Sequence, residues 1–228
     1  SYDKNVQGRV VNERGKTNAG VIAPFDSKKF PEEIKSDCFS AALAHNPSIG
    51  KIDPYLVAQH AVLEACAKTV SVGASPLALT DCLCFGNPEK PEQMWQFSQS
   101  CIAIREACDL LRFNGTNNLP IVAGNVSFYN QSGDQSIPAS PMIGCFGKVS
   151  KEKVLKNGFV DSGSNLYLLG ECPIFIGGSI VASILNIKNT KLEKFNVQNY
   201  SNMLNCVLEA NAACLLSSCN YVGLGGLA

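Results

Sequence analysis

Histidine is almost missing from this chain of 228 residues, which holds only His45 and His60. No C-x-x-C pair occurs either, so the common His/Cys zinc spacings have nothing to build on. An excess of one charge sign is also missing: 19 Lys and Arg balance 19 Asp and Glu. That balance argues against a surface made for nucleic acid or anionic lipid. The longest uncharged apolar run, Cys172 to Ile187, falls short of a membrane span and is broken by Gly177 and Gly178. A soluble, cytoplasmic protein without nucleic-acid or membrane partners is expected. The 11 cysteines fit that expectation, because their odd number favours a reducing compartment. Cys66, Cys101, Cys108, Cys206 and Cys214 sit on helical patterns among Ala, Leu and Val, where a thiol serves as a small buried apolar group.

What is present is organised around Leu77 to Asn130. An apolar run delivers the carboxylate Asp81 and then breaks at Gly86-Asn87-Pro88. Pro91 suits the first turn of a helix, and Met94, Phe97, Cys101, Ile104, Cys108 and Leu111 recur in threes and fours along one face. Leu119 onward reads as a short buried strand ending in Gly124, Asn125 and Ser127. A strand–helix–strand unit places polar residues at the carboxyl ends of its strands, so Asp81, Gly124, Asn125 and Ser127 are expected on one rim.

Outside this unit, Gly20 to Pro24 and Ile34 to Ala42 read as strands, with Asp37 either a strand-end or turn carboxylate or a functional one in its Ser-Asp-Cys context. Asp53-Pro54 caps a helix to about Val70, with Leu56, Val57, His60, Leu63, Ala67 and Val70 as its core stripe. On it Glu64 and Lys68 form an i,i+4 pair. Pro141 to Val149 reads as a closing strand. Asn165 to Gly170 is expected to open a second domain as a strand, Gly177-Gly-Ser179 to start a helix able to hold an anion, and Ser201 to Ser218 to form an amphipathic helix. The domains divide as 1–150 and 151–228.

The strings LTDCLCFGNPEKPE and GNVSFYN, in this order around one helix, resemble the glutamine-dependent phosphoribosylformylglycinamidine synthase family of purine biosynthesis, in the second of its two synthetase halves. The resemblance implies an α/β (α+β) fold like that of aminoimidazole ribonucleotide synthetase. Its N-terminal sheet domain would pair with a partner sheet, and its C-terminal α/β domain would here be truncated. It implies ATP as substrate held by Asp81 and Gly124, Mg²⁺ held with help from Asn125, and a ribonucleotide substrate at Ser127. No residue of this chain is assigned as catalytic. The implied reaction is ATP-dependent amidation of formylglycinamide ribonucleotide with glutamine-derived ammonia. The first synthetase half and a glutaminase component would be partners, with a homodimer a further option. The chain alone would be inactive, since the resemblance places the family's catalytic His and main Lys/Arg-containing phosphate site in the first half and no glutaminase Cys–His site is present here.

Four positions depart from the family pattern at an auxiliary nucleotide site or beside the reacting one. Asn18 replaces an Asp, Lys68 an Asn and Tyr221 an Asp, which leaves Glu64 without metal-binding company and suggests a degenerate site. Cys84 stands where Asn is more common. Two alternatives compete with the main reading: a non-catalytic scaffold half, and another ATP-using member of the same superfamily.

Overall fold

The computed structural model describes residues 8–13, 16–113, 115, 118–170, 176–187, 192, 194–223 and 226. The strands are β1 (Val10–Asn12), β2 (Gly20–Ile22), β3 (Asp37–Ala44), β4 (Ser75–Cys84), β5 (Ile121–Ser127), the two short arms β6 (Gln131–Ser132) and β7 (Gln135–Ser136), and β8 (Ser140–Ser150). Six of them form one sheet in the order β1-β2-β3-β8-β4-β5, while β6 and β7 pair as a separate hairpin. All pairings in the large sheet are antiparallel except β4 with β5. The helices are α1 (Glu32–Lys35), α2 (Pro47–Gly50), α3 (Pro54–Ser71), α4 (Pro91–Leu110), α5 (Ile180–Ile184) and α6 (Val197–Ala212).

α3 starts as expected. The Asp53 carboxylate accepts hydrogen bonds from the backbone N–H groups of Tyr55 and Leu56 at 2.8 and 2.9 Å, and Pro54 fills the first turn. This helix lies over one face of the sheet, where Val57, Ala58, Ala61, Val62, Ala65 and Cys66 are fully buried. It comes so close to β8 that a Cβ on Gly147 would lie 2.5 Å from the Thr69 methyl group and 2.9 Å from Ser40 Oγ. Only glycine allows that approach.

Several expected elements shift. The segment expected as a strand from Ile34 begins as α1, and β3 starts only at Asp37, whose carboxylate pairs with Lys148 at 2.8 Å. The buried side of α4 is Gln93, Ser100, Ala103, Ile104, Ala107 and Cys108, with Met94 exposed. Small side chains take that side because α4 rests against the alanine-rich α3, and Ser100 Oγ donates to Pro54 O at 2.8 Å. The closing strand β8 lies between β3 and β4, so the last strand of the sheet is a central one. β5, expected to be buried, is an edge strand exposed from Ile121 to Val126.

Beyond Ser150 the chain adds a 3-10 turn, α5 and α6. Asn165 to Gly170 forms no strand; Leu166, Tyr167, Leu168 and Leu169 are exposed, with no described strand beside them to satisfy a ladder. α6 begins four residues before the expected start, because the Asn196 side chain accepts from Asn199 N at 3.0 Å. It ends at Ala212, where Lys153 Nζ donates to Ala212 O at 2.9 Å. Val197, Leu204 and Val207 of α6 join the same core as α3 and α4. Cys66 and Cys108 are buried as expected, but Cys206 and Cys214 are exposed, lying on and just after the outer side of α6.

Candidate functional site

β4 and β5 run parallel in a register that sets Asp81 beside Gly124, Cys82 beside Asn125 and Cys84 beside Ser127. Side chains alternate along a strand, so these pairs divide between the two faces of the sheet. Asp81 lies between Leu79 and Leu83 on the helix-covered face. Its carboxylate sits directly over Gly124, where a Cβ would meet Asp81 Oδ1 at 2.1 Å. Burial pushes the Asp81 carboxyl above the usual carboxylate range, and a hydrogen bond from the Asn125 backbone N–H pulls the other way. Among the described residues no lysine or arginine is paired with it.

Asn125 and Ser127 point from the opposite, open face. Asn125 Nδ2 lies 3.3 Å from Cys82 Sγ. The four residues expected on one rim are thus brought to one strand pair, but the sheet separates Asp81 and Gly124 from the side chains of Asn125 and Ser127. Asp81 and Gly124 also lie three residues before the strand ends.

Asn130 and Gln93 hold the true carboxyl end of this pair. Asn130 Nδ2 donates to Phe85 O at 3.0 Å and Ser127 O at 2.8 Å, and the Asn130 backbone N–H reaches Phe85 O at 3.1 Å. Gln93 Oε1 accepts from Gly86 N at 3.2 Å, and a Cβ at Gly86 would collide with it and with Ser136 Oγ. Tyr129 takes a left-handed φ of 59° in the intervening turn. Sequence reasoning assigned neither residue a role. The only signal for Asn130 was a turn-forming amide after a strand, and Gln93 looked like an ordinary helix residue.

On the other side of α3 the structure gathers Asn18, Glu64, Lys68 and Tyr221. Lys68 Nζ is 2.7 Å from Glu64 Oε1, donates to Leu43 O at 3.0 Å and lies 6.0 Å from the centre of the Tyr221 ring. Asn18 Nδ2 donates to Asn220 Oδ1 at 2.9 Å and reaches Tyr221 O at 3.5 Å. The Tyr221 hydroxyl is pushed well above its usual range by burial and by the Glu64 charge. His60 Nδ1 stands 3.3 Å from Glu64 Oε2, and its ring is 5.7 Å from that of Phe195. Burial lowers the His60 pKa against the smaller raising effect of Glu64, which describes a neutral packing histidine. At Gly177-Gly-Ser179, Ser179 Oγ accepts from Ala182 N at 3.1 Å, so the side chain itself caps the five-residue α5. Of the paired glycines near the end of the chain, Gly225 and the preceding Leu224 lie outside the described residues.

A mixed sheet with two helices on one face and a parallel β4–α4–β5 unit at its edge is the architecture of a known domain. The model of the family described as "AIR synthase related protein, N-terminal domain" matches residues 17–149. The chain belongs to this family. Among curated relatives of this AIR synthase-related chain, the phosphoribosylformylglycinamidine synthase subunit PurL of Campylobacter lari is 37% identical over 236 residues, covering 96% of the chain and 32% of its own length. The solved structure of PurLQS from Thermotoga maritima matches with a TM-score of 0.57 and 30% identity, over 69% of this chain and 24% of that one. T. maritima PurL complexed with ATP matches with a TM-score of 0.54 and 29% identity, over 66% and 23%. The chain therefore spans about a third of the length of the curated relatives it matches. The AIR synthase-type α/β sheet domain implied by the two motifs is the one found. Among the described residues no helix is long and apolar enough to cross a membrane.

Proposed function

We propose that this chain is part of a phosphoribosylformylglycinamidine synthase, a ligase that uses ATP to amidate formylglycinamide ribonucleotide with glutamine-derived ammonia in purine biosynthesis. The observation that carries the reading is the Asp81 carboxylate seated over Gly124 in a registered parallel pair. A partly buried carboxylate with a raised pKa and, among the described residues, no paired cationic side chain suits a ligand that brings its own cation, as Mg·ATP does. Gly124 leaves its face clear for that carboxylate, and any Cβ would displace it. Asn125 offers a neutral amide oxygen, a donor type that hard cations accept; the family motif assigns it to Mg²⁺ and Ser127 to the ribonucleotide, on the face of the sheet opposite Asp81. When bound, the metal would neutralise phosphate charge during phosphoryl transfer. This chain's own part is to position: Asp81 orients the nucleotide, and Asn130 and Gln93 keep the adjoining strand ends in place.

The relatives' length supports a shared active site, in which this chain supplies the second synthetase half and the first half and a glutaminase component supply the rest. Domains at 1–150 and 151–228 belong to the same reading, as does a cytoplasmic setting. The auxiliary site reads differently. The Lys68 ammonium occupies the space between Glu64, the Leu43 carbonyl and the Tyr221 ring, so Asn18, Glu64, Lys68 and Tyr221 form a degenerate site with a tethered cation in place of a metal.

Calorimetric titration with Mg·ATP, alone and with formylglycinamide ribonucleotide, tests the proposal beside an Asp81→Asn control and after addition of the first half. Saturable binding that weakens at least about tenfold in Asp81→Asn is expected, a loss equal to about 1.4 kcal/mol. Equal binding by both proteins in the reconstituted assembly would remove Asp81 from the nucleotide site.

A further inference from the structure

The open face of β4 carries two thiols side by side. Cys82 Sγ and Cys84 Sγ are 3.7 Å apart, and both residues are only partly buried. Residues two apart on an extended strand have Cα atoms roughly 6.6 Å apart with Cβ atoms pointing the same way. A disulfide wants Cβ atoms about 3.5–4.5 Å apart, so this spacing does not favour a direct S–S bond. It does suit an atom placed between the sulfurs. Two thiolates at about 2.3 Å from a tetrahedral Zn²⁺ lie about 3.8 Å from each other, which matches the separation here.

The surroundings supply further donors. The Asn125 amide is already 3.3 Å from Cys82 Sγ, and rotating its terminal group brings Oδ1 to the same place. Met142 is the cross-strand neighbour of Cys82 on β8. Among the described residues no group of three or more His, Cys, Asp or Glu forms a closed metal cage. The arrangement is therefore an open bidentate one, with water completing the coordination.

We propose that Cys82 and Cys84 form a two-thiol chelate for a thiophilic divalent cation such as Zn²⁺ or Cd²⁺. Binding exchanges two S–H bonds for two metal–sulfur bonds and releases both protons to solvent, with no change of oxidation state. Soft sulfur donors select against Mg²⁺, so the pair distinguishes ions that a hard oxygen site does not. The chelate adjoins Asn125 and Ser127 of the nucleotide reading, but its direct test does not involve ATP.

Titrating the reduced chain with Cd²⁺, after removal of the reductant, follows the chelate through the ultraviolet thiolate-to-cadmium charge-transfer band. Cys84→Asn and Cys82→Ser are run beside it, with circular dichroism as the control for folding. Exposed Cys206 and Cys214 give the same background in all three proteins. The wild-type chain should take up one additional equivalent of Cd²⁺, at least about tenfold tighter than the background because the second thiol binds intramolecularly. Excess Zn²⁺ should compete with it, a Cys206→Ser/Cys214→Ser variant should retain it, and both β4 variants should lose it. Equal Cd²⁺ titration curves for wild type and folded Cys84→Asn would overturn the proposal.

Discussion

Gly124 shows how much one missing methyl group decides. A Cβ there would lie 2.1 Å from Asp81 Oδ1 and 2.8 Å from Asp81 Cγ, so Gly124→Ala must push the carboxylate aside. We expect a stability loss of about 1–3 kcal/mol in urea unfolding and a Mg·ATP affinity reduced as in Asp81→Asn. His60 makes a second prediction at this scale. Its folded-state pKa lies below the ordinary 6.5 because burial disfavours the imidazolium. Below pH 6.5 the unfolded chain therefore takes up a proton that the folded chain resists, and stability falls as the pH drops. Urea midpoints at pH 7.5 and 5.5 should converge more closely in His60→Gln than in wild type; an unchanged gap would contradict the assignment.

Among the elements, β4, α4 and β5 were legible in outline. Pro91, the Gly86-Asn87-Pro88 break and the apolar spacing announced a strand–helix–strand unit. Of the expected stripe, Ile104, Cys108 and Leu111 are buried and Phe97 and Cys101 pack against the core, while Met94 is exposed. Ala103 and Ala107 were missed, because periodicity counts large side chains whereas a close helix pair also selects small ones. The strand ends depend on Asn130, whose amide satisfies Phe85 O and Ser127 O. Asn130→Ala leaves these carbonyls short of a donor and is expected to cost about 1–3 kcal/mol, measured by urea unfolding. Faster hydrogen exchange should follow at Tyr129, whose N–H bonds to Gly86 O within the same turn.

For the molecule as a whole, the sheet has one face under α3 and α4 and one face open. Leu43 is 65% exposed and Phe146 44% exposed on that open face, beside Leu77 and Ile22. A sheet exposing such residues needs a cover, which agrees with the proposed pairing to the sheet of the first half. Leu43→Asp and Phe146→Asp should leave the unfolding free energy of the isolated chain within about 0.5 kcal/mol of wild type, because neither residue is in the core. Sedimentation with the first half should show weakened association. Wild-type association by both variants would place the interface elsewhere.

From the sequence alone came the α/β class, the Asp53 cap, the β4–α4–β5 unit, the balanced charge and the family motifs, because capping, turn chemistry and periodicity act over a few residues. Strand order and sidedness were decided only in three dimensions. β8 inserts between β3 and β4 through contacts made across the chain, and β5 falls at the edge as a result. The parallel register then sets Asp81 against Gly124 and places Asn125 beside Cys82 on the opposite face. Local propensity carries no information about such pairings, since a strand's neighbours are chosen by the burial that the whole sheet achieves against α3.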